Sequence, residues 1–294
     1  MLWDVIQSPN TKVSPVKHVG GAPANFAYHA HQLGARCEII SAVGKDSQGD
    51  ALVKEIAKLG VSTRGIQKCP FFPTGSVSVK LQEDDEPEYN IHEGVAWDDI
   101  EPTPDALLFT QHAEIIYYGT LAQRSQKSKD AIQRLLKEGN PKACMVYDVN
   151  IRQQYYTNPT LMESLRSANI VKVNDQDLTR LSHAMGVSEK HETFAKAIFQ
   201  RFPKAEVIAI TSGDAGSTLL TRDGGMDIRE AMDIKAVDTV GAGDAFTAVV
   251  ALGWHRHMPL EAIHQLAVAV ASYVCTQPGA TPPLPERFHQ EMGY

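Results

Sequence analysis

The chain has 294 residues, 43% of them hydrophobic and 21% charged, with a formal net charge of −7. At about 150 residues per domain this is one large domain, with room for a sizeable core and a small appendage. Ordinary glycine and proline usage (21 and 16 residues) excludes collagen-like and low-complexity chains; no apolar run nears the roughly 18 residues that cross a membrane, and the acidic balance speaks against nucleic acid as main partner.

Taken in chain order, Met1-Leu2-Trp3-Asp4-Val5 has no basic stretch or long apolar segment and reads as no secretory leader. A short strand is expected over 12–19, a helix over 24–33, a strand over 38–42 and a helix over 48–59. The segments 74–81 and 88–93 alternate apolar and polar residues around the acidic turn Glu83-Asp84-Asp85-Glu86-Pro87, a hairpin signature with one buried face. The expectation is a small antiparallel sheet, built from segments about 10–19 and 72–96 inserted in an otherwise single α/β domain over 1–294. Its apolar face needs a use, either as a lid over a site or as a contact between subunits of a homodimer. Strands at 114–118, 143–149, 170–173, 206–211 and 217–220 then alternate with helices at 125–137, 159–168 and 191–200. Such alternation implies right-handed βαβ units and a mostly parallel sheet covered on both faces. Two helical stretches, 242–254 and 260–275, close the chain, with Pro259 at the start of the second, where a helix tolerates it.

Cys37, Cys69, Cys144 and Cys275 are far apart and form no Cys-x-x-Cys pair. That spacing suits neither a disulfide framework nor a zinc site, and reads as reduced, mostly core thiols of a cytoplasmic protein. The eleven histidines are scattered, and His29/His31 and His255/His257 lack the i, i+4 spacing of metal ligands.

The strongest local signal is Asp238-Thr239-Val240-Gly241-Ala242-Gly243-Asp244, small residues running straight into an apolar helix. A helix start carries unpaired amides and partial positive charge, and glycines let an anion approach the backbone. Gly241, Ala242 and Gly243 can therefore offer amides to a phosphate. Asp244 suits an anion site only as a base; at a helix N-terminus it is expected to stay ionised and to accept a hydroxyl proton. The plainer alternative is a capping Asp in a tight turn. No G-x-x-x-x-G-K-[ST], G-x-G-x-x-G, D-F-G or H-R-D motif is present, which disfavours a P-loop, a dinucleotide fold and a protein kinase.

The segment 238–244 resembles the C-terminal signature of the ribokinase-like (PfkB) carbohydrate kinases, and Gly20-Gly21-Ala22-Pro23-Ala24-Asn25 resembles their N-terminal signature. Asp148-Val149-Asn150-Ile151-Arg152, Asn174-Asp175-Gln176-Asp177 and Thr211-Ser212-Gly213-Asp214-Ala215-Gly216 follow in the family's order, so the likeness spans nearly the whole chain. Within the family, Leu2–Val5, the Gly-Gly-Ala-Pro-Ala-Asn run and Tyr118-Gly119-Thr120-Leu121-Ala122-Gln123-Arg124 are most similar to fructokinases. The resemblance implies a three-layer α/β sandwich with a mostly parallel central sheet and a small β lid. It implies an ATP-dependent, Mg²⁺-assisted kinase for the primary hydroxyl of a small sugar, D-fructose first. A ribokinase or nucleoside kinase and a non-catalytic sugar-binding regulator are the alternatives.

By the same resemblance Asp244 is the base, and Gly241, Ala242 and Gly243 form the anion hole for the transferred phosphoryl group. Asp4, Gly21, Asn25 and Arg152 bind the sugar, although Asn25 could instead cap the helix over 24–33. Asn174 and Asp177 lie near Mg²⁺ and the phosphates through water, and Thr211 and Gly213 lie beside the ATP. Asp238, Val240, Val274, Gln277 and Gly279 match positions that hold a monovalent cation such as K⁺, largely through carbonyls. Two departures stand out. Asp177 replaces the usual Glu, which shortens its reach to a metal. Relatives also begin with a hydrophobic strand before the segment matching Leu2–Val5, so an upstream-extended chain is expected to be more stable.

Overall fold

The computed structural model describes residues 1–7, 16–81 and 87–293. The chain opens with β1 (Leu2–Gln7) and β2 (Val16–Gly20), then α1 (Ala22–Gln32), β3 (Ser41–Gly44), α2 (Ser47–Lys58), β4 (Ile66–Cys69), β5 (Ser76–Leu81) and β6 (Pro87–Ile91). The middle runs α3 (Pro104–His112), β7 (Ile115–Gly119), α4 (Gln126–Glu138), β8 (Cys144–Asp148), α5 (Asn158–Ser167), β9 (Ile170–Asn174), α6 (Asp175–Met185) and α7 (His191–Arg201). It ends with β10 (Val207–Thr211), β11 (Ser217–Thr221), β12 (Met226–Arg229), α8 (Ala242–His255), α9 (Leu260–Cys275) and α10 (Glu286–Glu291).

Six strands form the main sheet in the order β12-β11-β10-β9-β8-β7; β7 to β10 are parallel and the two outer strands antiparallel. Successive strand residues point to opposite faces, and the sequence supplies an apolar residue to each. Val146, Ile170, Val207, Ala209 and Leu219 face one core, packed against α1, α8 and α9 through Phe26, Phe246, Val249 and Val270. Their neighbours Tyr147, Val171, Ile208, Ile210 and Leu220 face the other, packed on α5, α6 and α7 through Leu161, Leu165, Leu181 and Phe194. This is the three-layer α/β sandwich with a mostly parallel sheet. Near-continuous apolar strands are what a sheet buried on both faces requires.

The smaller sheet has the order β2-β1-β5-β6. It is mixed rather than purely antiparallel: β1 pairs antiparallel with β2 but parallel with β5, and β5 pairs antiparallel with β6. The difference arises because β1, which carries Asp4, lies between two strands from different parts of the chain. Of the segments expected here, residues 10–15 and 82–86, which include all of the acidic turn but Pro87, lie outside the described residues.

Several elements differ from expectation. The strand over 38–42 begins later, at Ser41, opposite Ile66 of β4; Glu38 meets the neighbouring segment through an isolated bridge to Ser62, and its carboxylate accepts from Ser62 Oγ (2.5 Å) and Arg64. The β4 segment Ile-Gln-Lys-Cys is short and half-polar, so periodicity does not mark it. Three further helices were not expected: the short α10, and α3 and α6. The last two start on caps rather than on strong apolar periods: Thr103 accepts from the Ala106 amide at 3.2 Å, and Asn174 and Asp177 form a capping box. Among the described residues β3 pairs only with β4 and β7 only with β8, so these form two separate parallel ladders. No helix among the described residues is long and apolar enough to cross a membrane.

Candidate active site

The site lies at the carboxyl ends of the parallel strands β8, β9 and β10, where open α/β sheets leave a crevice, and the N-terminus of α8 points into it. Gly241 caps α8 with φ +83°, and a side chain there would be strained and would collide with the Ala280 backbone. The first intrahelical bond is Ala245 N–H to Gly241 O (2.9 Å), while in the turn before it the Ala242 amide donates to Thr239 O (3.4 Å). Thr247 Oγ1 donates to Gly243 O (2.7 Å) and steadies that turn.

Asp244, in the first turn of α8, is buried and accepts a 2.8 Å hydrogen bond from Asn25 Nδ2 of α1. Asn25 is therefore not the cap of α1; Gly21 holds that place, and Asn25 sits inside the helix facing Asp244. Its Oδ1 is buried without a hydrogen-bond partner and is free to accept from a bound hydroxyl. The expectation that Asp244 simply stays ionised needs correction. Burial first and the Asp148 charge second push its pKa up to about 7, against the Asn25 hydrogen bond and the charges of Lys172 and Arg152. Desolvation outweighs the helix dipole here.

Asp4 of β1 lies against Gly20, where any Cβ would collide with its carboxylate. Burial raises its pKa to about 6, opposed by His18 and Arg152 among others. Arg152 is exposed, on the segment after β8, and acts electrostatically on both Asp4 and Asp244. Arg152 thus reaches both carboxylates, Asp4 and Asp244, and Asn25 meets Asp244 directly.

Asn174 and Thr211 are register partners at the ends of β9 and β10, and Gly213 lies in the turn that follows. Asp177 is fully buried, and both its oxygens are engaged: Oδ1 accepts from the Ile151 amide (2.9 Å) and Oδ2 from the Asn174 amide (3.4 Å). In this chain the shorter acid caps α6 and anchors the segment carrying Arg152. No cluster of three or more His, Cys, Asp or Glu suited to a metal occurs among the described residues. Asp238 joins two loops, its oxygens accepting from the amides of Val240 (3.0 Å) and Gly279 (3.1 Å). The Gln277 amide donates to the carbonyl of the fully buried Val274 (3.0 Å), so the five residues singled out for a monovalent cation fall on these adjoining turns.

Lys172 and Tyr117 escaped sequence reasoning, and Asp148, singled out only within the 148–152 motif, carries no role there. Asp148 ends β8 fully buried; Tyr117 Oη donates to its Oδ2 (3.0 Å), and Lys172 Nζ lies 3.4 Å from its Oδ1. Lys172 is 5% exposed, and an ideal Cβ on Gly243 would sit 3.4 Å from its Nζ. A signal existed for Lys172: a lysine inside the run Ile170-Val171-Lys172-Val173 is out of place in a strand buried on both faces. Tyr117 had none, because a tyrosine in an apolar strand reads as core.

The family model described as "pfkB family carbohydrate kinase" matches residues 5–287. A protein of Pyrococcus horikoshii, described with its structure as an uncharacterized sugar kinase, is 30% identical over 243 residues, covering 81% of this chain and 73% of its own. Its crystal structure in complex with ATP superposes with a TM-score of 0.84 at 27% identity, covering 99% of this chain and 97% of that one. Fructokinase-2 of Zea mays is 24% identical over 291 residues, covering 92% of this chain and 83% of its own. A fructokinase structure from Xylella fastidiosa, at 20% identity, shares the fold with a TM-score of 0.86 and covers 100% of this chain and 97% of its own.

Proposed function

The chain belongs to the pfkB family of carbohydrate kinases, and from that premise we propose that it transfers the γ-phosphoryl group of ATP to the primary hydroxyl of a small sugar, D-fructose first. The observation that carries this reading is the buried Asn25–Asp244 pair at the N-terminus of α8, beside the Gly241–Gly243 amides. ATP as donor is supported by the P. horikoshii relative, whose structure holds it. D-Fructose as acceptor is supported by the fructokinases among the relatives.

In this reading the sugar lies between Asp4, Gly21, Asn25 and Arg152, with one hydroxyl donating to the unpartnered Asn25 Oδ1. As the primary oxygen attacks the γ-phosphorus and the bond to ADP breaks, Asp244 takes the hydroxyl proton. A carboxyl with a pKa of about 7 is well placed for that: ionised in a good fraction at neutral pH, yet basic enough to hold a proton. The Gly241–Gly243 amides meet charge on the transferred group, and such positioning plus charge stabilisation supplies most of the rate in phosphoryl transfer. Thr211 and Gly213 flank the nucleotide. Mg²⁺ bound with it would neutralise phosphate charge, with Asn174 reaching its water shell. A monovalent cation on the Asp238 turns would steady the α8 entry. The β2-β1-β5-β6 sheet, which carries Asp4, closes over the sugar as a lid.

A coupled ADP-release assay over fructose, ribose, glucose, tagatose, ketodeoxygluconate and nucleosides tests the acceptor. Fructose is expected to give the highest kcat/KM. Preference for ribose or a nucleoside moves the acceptor within the family, and absence of turnover on every sugar overturns the catalytic reading. Asp244→Asn is expected to lower kcat by roughly 10²–10⁴ while calorimetric sugar affinity changes only a few-fold. Undiminished turnover would mean that another group is the base.

A further inference from the structure

Beneath the α8 turn lies an ion pair whose position works against stability. Lys172 sits on β9, buried on both faces among Ile170, Val171 and Val173, each 0% exposed. Desolvating an ammonium is costly, and placing it under a helix N-terminus sets it against the positive end of the dipole. What offsets this is Asp148, 3.4 Å away, with the carboxyls of Asp177 and Asp244 within electrostatic reach. An apolar side chain of the same length would fill the space at less cost, since buried ion pairs seldom beat apolar packing.

The groups facing Asp244 come from every element around it. Asn25 of α1 donates to it; Asp148 of β8 repels its charge; Lys172 of β9 and Arg152 after β8 favour its charge; Tyr117 of β7 interacts with Asp148 and with Asp244 itself. Of the two cations, Arg152 is exposed and screened by water and salt, whereas Lys172 is buried and acts unscreened.

We propose, resting on the reading of Asp244 as the base, that Lys172 is a positioning residue: clamped by Asp148 under the Gly241–Gly243 turn, its ammonium holds the Asp244 carboxylate in the ionised, proton-accepting form. Lys172 touches no substrate in this account. Asp148 has two opposed effects, fixing Lys172 in place and disfavouring charge on Asp244. Together they set the pH at which the base becomes competent.

The test is the pH profile of kcat between about pH 5 and 10 for the full chain, with MgATP and the panel sugar turned over fastest. It compares wild type, Lys172→Met, Lys172→Arg and Asp148→Asn. Lys172→Met is expected to move the acid limb up by about one pH unit. Its kcat should fall roughly fivefold at pH 7 and recover by pH 9, with sugar KM nearly unchanged. Lys172→Arg keeps the limb in place. Asp148→Asn moves it down, a sign that loss of packing cannot produce. If Lys172→Met does not fold, Lys172→Gln, which removes the charge and keeps a polar head, takes its place with the same upward shift expected. A wild-type profile without an acid limb overturns Asp244 as the base and this proposal with it. A wild-type limb that Lys172→Met and Asp148→Asn leave in place overturns this proposal alone.

Discussion

His29 shows how a residue remote from the chemistry can support the site. It lies on α1, 0% exposed, and its Nε2–H donates to Ala280 O (2.9 Å), the residue whose backbone packs against Gly241. Its Nδ1 is buried without a partner, and burial lowers the pKa to about 4, the bond to Ala280 only partly opposing. The folded protein therefore keeps His29 neutral where the unfolded chain, with a pKa of about 6.5, already binds a proton. Stability from this group is complete above pH 6.5 and is lost as pH falls from there towards 4. Asp4 and Asp244, with raised pKa values, act in the opposite sense: they favour the folded state as pH falls below about 6 to 7. The clean measurement is thus a difference. Between pH 7 and 4.5, urea unfolding of wild type should lose about 2 kcal/mol more than that of His29→Gln; equal losses would mean that His29 is not the proton-linked group.

At the scale of elements, the junction of the small sheet with the main domain turns on one arginine. Arg124 makes a two-point ion pair with Asp98 (2.7 and 2.8 Å) and donates to His92 O beyond β6. Its guanidinium lies 3.9 Å from the Trp97 ring centroid and 4.8 Å from that of Tyr155, whose hydroxyl donates to Ile91 O of β6. A planar fork between two rings is something lysine cannot reproduce. Arg124→Met should cost about 3 kcal/mol, because it strands a buried carboxylate, and Arg124→Lys should recover little of it. Thermal denaturation of both variants checks this; near-wild-type melting of the lysine variant would refute the two-point role. The same scale shows which elements the sequence discloses. β8, β9 and β10 are legible because each is a short apolar run. α6 and β4 are not: one is announced only by the Asn174–Asp177 box, the other by half-polar Ile-Gln-Lys-Cys. Local capping and edge pairing leave weaker periodic traces than a buried face does.

For the whole molecule, the consequence lies in how the two sheets meet over the strand ends. Asp4 comes from the small sheet, while Asn25 and Asp244 come from helices on one face of the large one, so in the proposed function the sugar is held only with the small sheet in place. Closure driven by sugar would then exclude water from the phosphoryl group. ATP hydrolysis without sugar should accordingly run at about a hundredth of the sugar-dependent rate or less. Sugar-independent ATPase of comparable rate would show that the small sheet does not gate the reaction. The three-layer α/β class, the family and the Gly241–Asp244 turn were determined by the sequence itself. Each is written in contiguous residues, as a run of apolar strands or as glycines whose backbone role does not depend on distant neighbours. Only the tertiary structure decided that Asn25 faces Asp244 across 219 positions of chain, that Asp177 is spent as a cap, and that Lys172 and Asp148 meet under α8. Those relations, and the raised pKa of Asp244 that follows from them, are set by burial and by charges from different elements. Neither has a spacing that can be read along one strand of sequence.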